Sequence, residues 1–230
     1  MPDTAVWQIA LDGPAASGKS STAREVARRL GIRYLDTGAM YRAFMVALIR
    51  GGASWDTEEQ VRPWLDPLGI RLEEGEHGTR VLLNGEDVST AIRENRVSVM
   101  MAPVCAMPSV RARMVDLQRE LGSQTSCVVD GRDIGTVVFP DARFKFFLSA
   151  ELDERARRRQ RELEARGQSA SLAELREEIR LRDTLDSQRS VGPLKKAADA
   201  RLLDTTHLDF EQQVQAIVDV VLADLKSPRP

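Results

Sequence analysis

The run GPAASGKSS, residues 13–21, stands between an apolar stretch and a stretch of helical spacing, and this context limits the fold more than any other feature. Its Gly-x-x-x-x-Gly-Lys-Ser spacing is that of a phosphate-binding loop. Glycines let backbone N–H groups converge on phosphate oxygens, the lysine reaches the β- and γ-phosphates, and a hydroxyl directs Mg2+. Gly13, Pro14, Ala15, Ala16, Ser17, Gly18 and Lys19 are therefore the expected ATP-binding loop. Ser20 is the first candidate for the metal hydroxyl and Ser21 the second, with the Mg2+ carried in on ATP and no dedicated protein cage. A glycine-rich turn without function is the bland alternative. The strand pattern of Val6 to Leu11 before the loop and the helical pattern of Lys19 to Leu30 after it argue against that reading.

The rest of the chain repeats this alternation. A short strand near Arg33 to Leu35 leads into a helix from about Ala39 to Arg50, which Gly51 and Gly52 close. Between about Pro63 and Met107 the texture changes to short strand-like runs with glycine-bearing turns, and Asn84-Gly85 is a two-residue hairpin signal. Helical stretches at Ile92–Ala106 and Ser109–Leu121 precede two apolar strands, one ending in Asp130 and one over Arg143–Leu148. Two charged helices, Glu151–Arg166 and Leu172 to about Arg189, a strand in ARLLDTT and a helix from about Phe210 to Lys226 complete the pattern. Strands alternating with helices predict an α/β fold, a mostly parallel sheet with helices on both faces, carrying a small antiparallel-sheet insert.

Charge excludes several function classes. With 33 basic and 35 acidic residues the formal net charge is −2, so nothing draws the whole molecule to nucleic acid or to an anionic membrane, and phosphate affinity has to be local. Cys105 and Cys127 have neither disulfide nor zinc spacing, and His77 and His207 are too few for a histidine metal site or a Ser-His-Asp triad. The N-terminal run lacks a basic segment followed by a long apolar one, and no run of about 18 apolar residues occurs, which predicts a cytoplasmic protein.

Several charged motifs follow predicted strands. The segment DTGAMYR carries Thr37, Tyr41 and Arg42, and DGRDIG packs Asp130, Arg132 and Asp133 into four positions. SVRARM adds Arg111 and Arg113 on a helix. In a doubly wound sheet such strand ends converge on one crevice beside the phosphate loop. On the helical stretch that runs into RDTLDSQRS, the residues Leu172, Leu175, Ile179, Arg182, Asp186 and Arg189 share one helix face that begins apolar and ends charged. Either that face is buried and its charges serve a ligand, or a slight rotation buries Leu181 and Leu185 and leaves a solvated ion-pair ladder. The periodicity permits both. The guanine-reading tetrapeptide Asn-Lys-x-Asp of switch GTPases is absent.

The segments GPAASGKSS, YLDTGAMYR, LNGEDVSTAIR, PSVR, DGRDIGTVVFPDA and RDTLDSQR, in this order, resemble the bacterial cytidylate kinase family over nearly the whole chain. The resemblance implies one kinase domain. Its core is residues 1–62, 108–150 and 190–230, with a monophosphate-binding insert at 63–107 and a lid with acceptor-binding helices at 151–189. It implies an acceptor phosphate meeting Arg42, Arg132 and Arg182, with ribose hydroxyls on Asp186. Arg111, Asp133 and Arg189 would lie near the base, supported by Thr37, Tyr41 and Asp130. Arg155, Arg158 and Arg159 match the lid over ATP, and Lys19, Arg132, Arg158 and Arg182 would carry the catalysis. The implied partners are ATP and CMP or dCMP, with neither nucleic acid nor membrane, acting on a monomer. Where relatives have a serine within VSxxxSxVAxxPxVR, this chain has Ala102, so a hydroxyl contact to cytosine is absent. The alternatives are a broader UMP/CMP kinase, a small-metabolite P-loop kinase, or a nucleotide-binding switch without turnover.

Overall fold

The computed structural model describes residues 6–75, 78–165 and 167–227. His77, and Arg166 at the expected end of the first charged helix, lie outside the described residues. In chain order the elements are β1 (Gln8–Asp12), α1 (Lys19–Leu30), β2 (Arg33–Asp36), α2 (Thr37–Arg50), α3 (Glu58–Val61), β3 (Ile70–Gly75), β4 (Gly78–Leu83) and β5 (Glu86–Asp87). They continue as α4 (Asn95–Ala106), α5 (Pro108–Gly122), β6 (Cys127–Gly131), β7 (Phe144–Ser149), α6 (Leu152–Glu164), α7 (Leu172–Gln188), β8 (Arg201–Asp204) and α8 (Phe210–Lys226). The chain forms two compact units, one running through Tyr34 and again from Gly122 onward, the other Leu35–Leu121.

The first unit is built on a five-stranded sheet in the order β2-β6-β1-β7-β8. β1 pairs in parallel with β6, Ile9 opposite Val128, and with β7, Ile9 opposite Phe144, and β7 continues the parallel pairing to β8. Ile9, Ala10 and Leu11 are all fully buried, as a strand covered on both faces requires. One core joins Ile9, Leu11, Phe144, Phe146 and Leu148 of the strands to Val26 of α1 and to Val214, Ile217 and Val221 of α8. A second, smaller cluster joins Ala15 to Ala156 of α6 and Leu175 and Ile179 of α7. β1 and β6 end in acids, Asp12 and Asp130 with Gly131, so the carboxyl edge of the sheet collects both the phosphate loop and the strand-end charges.

The second unit holds α2, with Met40, Phe44, Met45 and Leu48 buried, and an antiparallel sheet in the order β3-β4-β5. Ile70 faces Leu83 and Leu72 faces Val81, all four buried, while Arg71 and Glu73 between them are exposed. Asn84 and Gly85 adopt φ of 50° and 90°, the left-handed pair that closes β4 onto β5 as the hairpin signal predicts. α2 starts at Thr37 rather than near Ala39, because the Asp36 carboxylate accepts the Ala39 N–H and caps the helix two residues earlier.

The charged face of α7 is settled by burial. Asp186 is 2% exposed while Leu181 and Leu185 are 55% and 51% exposed, so the rotation that would bury the two leucines does not occur. The turn after β6, Ile134–Val138, is a single π-helical turn that no sequence pattern announces.

Gly13 leaves β1 so close to β7 that a Cβ placed on it would lie 2.3 Å from the Leu148 carbonyl oxygen, a backbone atom held in the sheet. Gly13→Ala is therefore expected to destabilise the protein by about 1–3 kcal/mol and to lower its calorimetric melting temperature. An unchanged melting temperature would contradict this close approach.

Candidate active site

The phosphate loop is shaped by its backbone before any side chain acts. Ala16 takes φ of 57° and Gly18 φ of 86°, reversals that turn successive N–H groups inward at the N-terminus of α1. Lys19, 6% exposed, donates from Nζ to the Pro14 carbonyl at 3.1 Å, which lays its chain back over the loop. Burial pushes the Lys19 ammonium down to about 7, and the positive charges of Arg132 and Arg182 push the same way against Asp130 and Asp186. A polyphosphate in the loop supplies the opposite field and favours the charged ammonium.

Ser20 donates from Oγ to Asp130 Oδ2 at 2.5 Å, and Tyr34 donates its hydroxyl to Asp130 Oδ1 at 2.8 Å. A hydroxyl and a carboxylate meeting at the start of α1 offer hard oxygen ligands of the kind Mg2+ accepts. Ser21 is exposed and its Oγ donates instead to Gly18 O at 2.8 Å. Among the described residues no group of three or more His, Cys, Asp or Glu is placed to hold a metal.

Beside the loop, Arg132 donates from Nε to Asp186 Oδ2 at 2.6 Å, and Arg189 donates from Nη2 to Asp186 Oδ1. Burial pushes the Asp186 carboxyl up, but Arg132 and Arg189, with Arg182 adding, outweigh it and hold the group below the usual carboxylate range. Arg182 itself is exposed on α7. Asp133 is buried two residues from Gly131, at the head of the π-helical turn. Asp130, Arg132, Arg182, Asp186 and Arg189 thus gather at one place, linked through their action on Lys19 or on Asp186, while Asp133 acts on Asp12.

Arg155 and Arg158 of α6 also reach the loop. Arg155 Nη1 donates to Ala15 O at 3.0 Å and Arg158 Nη1 to Ser17 O at 3.3 Å, while Arg158 also bonds Thr205 through its hydroxyl and carbonyl oxygens. Arg159 instead pairs with Glu162 on the helix surface at 3.0 Å. In the second unit, Arg111 is 2% exposed and donates to the Tyr41 hydroxyl at 3.1 Å, and Arg42 pairs with Asp36 at 3.3 Å. Thr37 is buried in the first turn of α2. Arg113 is a tie rather than a ligand group, donating to Leu65 O and Leu68 O, each at 3.2 Å. Ala102 falls in α4, and its side chain lies outside what the structure describes.

Two carboxylates escaped the motif reading. Asp12 accepts N–H bonds from Ile134 and Gly135, both at 2.8 Å, and so fastens the π-helical turn to the end of β1. Its only sequence signal is an acid closing an apolar strand directly before Gly13. Asp183 accepts from Ala15 N at 3.1 Å and from Arg155 Nη1 at 2.5 Å. It lies on the same α7 face as Ile179 and Asp186, so the helical spacing did carry it.

Cations gathered around a phosphate loop at the carboxyl edge of a parallel sheet serve one class of chemistry, the movement of phosphoryl groups, and the chain is a P-loop kinase. A family model described as cytidylate kinase matches residues 9–223, and the chain belongs to that family. It is 45% identical over 214 residues to the cytidylate kinase of Carboxydothermus hydrogenoformans, covering 93% of this chain and 96% of that protein. To the cytidylate kinase of Geobacillus sp. it is 46% identical over 214 residues, with 93% and 96% covered. Among solved structures, TT1252 from Thermus thermophilus superposes with a TM-score of 0.51 at 17% identity, covering 97% of this chain and all of that one, a likeness of fold. Among the described residues no helix is long and apolar enough to cross a membrane.

Burial pushes Asp12 up to about 6 from 3.8, against the two N–H bonds that favour its anion. Between about pH 4 and pH 6 it is protonated in the fold and ionised in the unfolded chain. Its contribution to stability is thus complete below pH 4 and lost as pH rises through 6. Relative to the native protein, Asp12→Asn is expected to gain roughly 1–2 kcal/mol between pH 5 and pH 7.5 in urea unfolding. A difference that does not change with pH would contradict a protonated Asp12.

Proposed function

We propose that this protein transfers the γ-phosphoryl group of ATP to CMP, giving ADP and CDP, and accepts dCMP in the same site. The observation that carries the reading is Arg132 and Arg189 on one buried carboxylate, with Arg132 and Arg182 acting electrostatically on the phosphate-loop lysine. A cation set of that size beside a donor loop suits an acceptor that is itself a phosphate. Its second ionisation lies at about pH 6, so the nucleophilic oxygen is already anionic near neutrality and no side chain has to act as base. A hydroxyl acceptor, as in a small-metabolite kinase, would call for a base and fewer arginines.

The obstacle is then the repulsion between two polyanions, and positioned cations are what lower it along an in-line transfer. Lys19 is assigned to the β- and γ-phosphates, Arg182 and Arg132 to the acceptor phosphate with Arg42, and Arg158 to the transferred group. Backbone N–H groups from Ala16 to Ser20 hold the donor phosphates, while Arg155 and Arg159 complete the donor side. Ser20 and Asp130 would hold the Mg2+ that accompanies ATP, which supplies charge neutralisation to the phosphate oxygens when bound. Asp186 has lone pairs to spare for the ribose hydroxyls. Arg189, Arg111 and Asp133 are assigned to the base, with Thr37 and Tyr41 in support. Closing α6 and α7 over the nucleotides would exclude water and prevent idle hydrolysis of ATP.

Ala102 favours one refinement. A hydroxyl missing from the base pocket removes a hydrogen bond of about 0.5–1.5 kcal/mol, which relaxes the choice between CMP and UMP without ending activity.

ADP release measured with CMP, dCMP, UMP, AMP and GMP as acceptors is expected to be fastest with the cytidine nucleotides, with UMP next. Equal rates for the purine monophosphates, or none with CMP, would end the proposal. Lys19→Ala should abolish transfer in a folded protein, and Arg182→Ala should raise the KM for CMP at least about tenfold more than that for ATP, as expected for a lost charge-assisted bond. Equal effects on both substrates would remove the assigned division of donor and acceptor.

A further inference from the structure

The acceptor residues assigned to α7 share that helix with a carboxylate that is bonded to the phosphate loop. Asp183 lies between Arg182 and Asp186, and its carboxylate accepts the Ala15 N–H at 3.1 Å and Arg155 Nη1 at 2.5 Å. The same Nη1 donates to Ala15 O at 3.0 Å, and Arg155 Nε donates to Ala150 O at 3.0 Å, just beyond the end of β7. Both polar atoms of the Ala15 main chain are therefore gripped by one ion pair formed between α6 and α7. Its methyl group packs with Ala156, Leu175 and Ile179 of the same two helices. The side chain of Arg155 is 9% exposed and that of Asp183 22%, so the pair is shielded from competing water.

What the grip holds is a strained piece of backbone. Ala16, the next residue, sits at φ of 57°, a region that residues other than glycine adopt when their surroundings over-determine it. With its N–H on Asp183, Ala15 is spent on the scaffold, and the remaining loop N–H groups are aimed by where Ala15 is held. We propose that Asp183 is a positioning residue, acting through Arg155 and Ala15, that makes the donor loop respond to whatever is bound on the Arg182 and Asp186 side of α7. The inference rests on the acceptor assignment made above. A displacement of α7 by one ligand is delivered to the Ala15 main chain, and ATP, by fixing the loop, holds α7 where the acceptor needs it. Such coupling is reciprocal: each nucleotide tightens the other by the same factor.

A pair with only a structural role would lower the melting temperature and leave the two affinities alone or weaken both together. The distinction is read by calorimetric titration of CMP and of the β,γ-imido analogue of ATP with Mg2+, each alone and with the other saturating. The native protein is expected to show mutual tightening of about fivefold or more. Asp183→Asn keeps an acceptor for the Ala15 N–H and removes the charge that binds Arg155. It should weaken the ATP analogue about tenfold, leave CMP alone within about twofold, and bring the mutual tightening close to one. Asp183→Ala should do the same to a greater degree, and where it does not fold, the isosteric Asn variant carries the test. Retained analogue affinity or retained coupling in Asp183→Asn overturns the inference, as does a native protein in which the two nucleotides bind independently. Arg182→Ala is the control for the underlying assignment. If it leaves CMP affinity unchanged, the acceptor reading has failed; if it weakens CMP while Asp183→Asn changes nothing, only the positioning role has.

Discussion

A single buried carboxylate, Asp186, holds the guanidiniums of Arg132 from the end of β6 and Arg189 from the end of α7, and the rest of the site depends on this junction. Burying such charges brings little net stability, because desolvation offsets most of the attraction. Its value is positional. Guanidiniums left to themselves would repel one another and turn to solvent; joined through Asp186, the two are held in place, and Arg132, with Arg182, adds to the burial that depresses the pKa of Lys19. The site is thereby held in a state that an incoming anion relieves.

The sheet makes this possible by bringing sequence-distant segments to one edge. β1 lies between β6 and β7, so the phosphate loop leaves the sheet next to Asp130 and Gly131 on one side and Leu148 on the other. Asp12 and Asp130 then divide the work of the two central strand ends. Asp130 accepts from Ser20 at the start of α1 and from Tyr34 of β2, whereas Asp12 accepts from the N–H groups of the turn that follows Asp133. Both acids are buried; one accepts from hydroxyls and the other fastens the π-helical turn to the end of β1. The second unit carries its own ties, Arg111 to Tyr41 and Arg42 to Asp36, which orient the remaining acceptor candidates from within.

Much of this was legible in the residues. The phosphate loop declares itself through spacing that only a strand-loop-helix context uses, and α1 and α8 run between the residues their patterns predict. The hairpin at Asn84-Gly85 follows from backbone preference alone. α7 shows where periodicity stops: a 3.6-residue repeat marks Arg182, Asp186 and Arg189 as one face but cannot say whether that face is solvated. The answer came from the burial of Asp186 and the exposure of Leu181 and Leu185. Asp12 and Asp183 were missed for a different reason. Both accept backbone N–H groups far away in sequence, which leave no residue type to recognise, and the side-chain partner of Asp183, Arg155, lies on another helix. The π-helical turn at Ile134–Val138 is likewise a product of tertiary contact with Asp12, not of local preference.

The most direct measurement is a crystal structure with CMP and a non-hydrolysable ATP analogue bound together. The account predicts Lys19 on the donor phosphates and Arg132 and Arg182 on the CMP phosphate, with the two phosphate groups end to end above Gly13–Ser21. A CMP phosphate lodged elsewhere, with Arg132, Arg182 and Arg189 making no contact to either nucleotide, would contradict it.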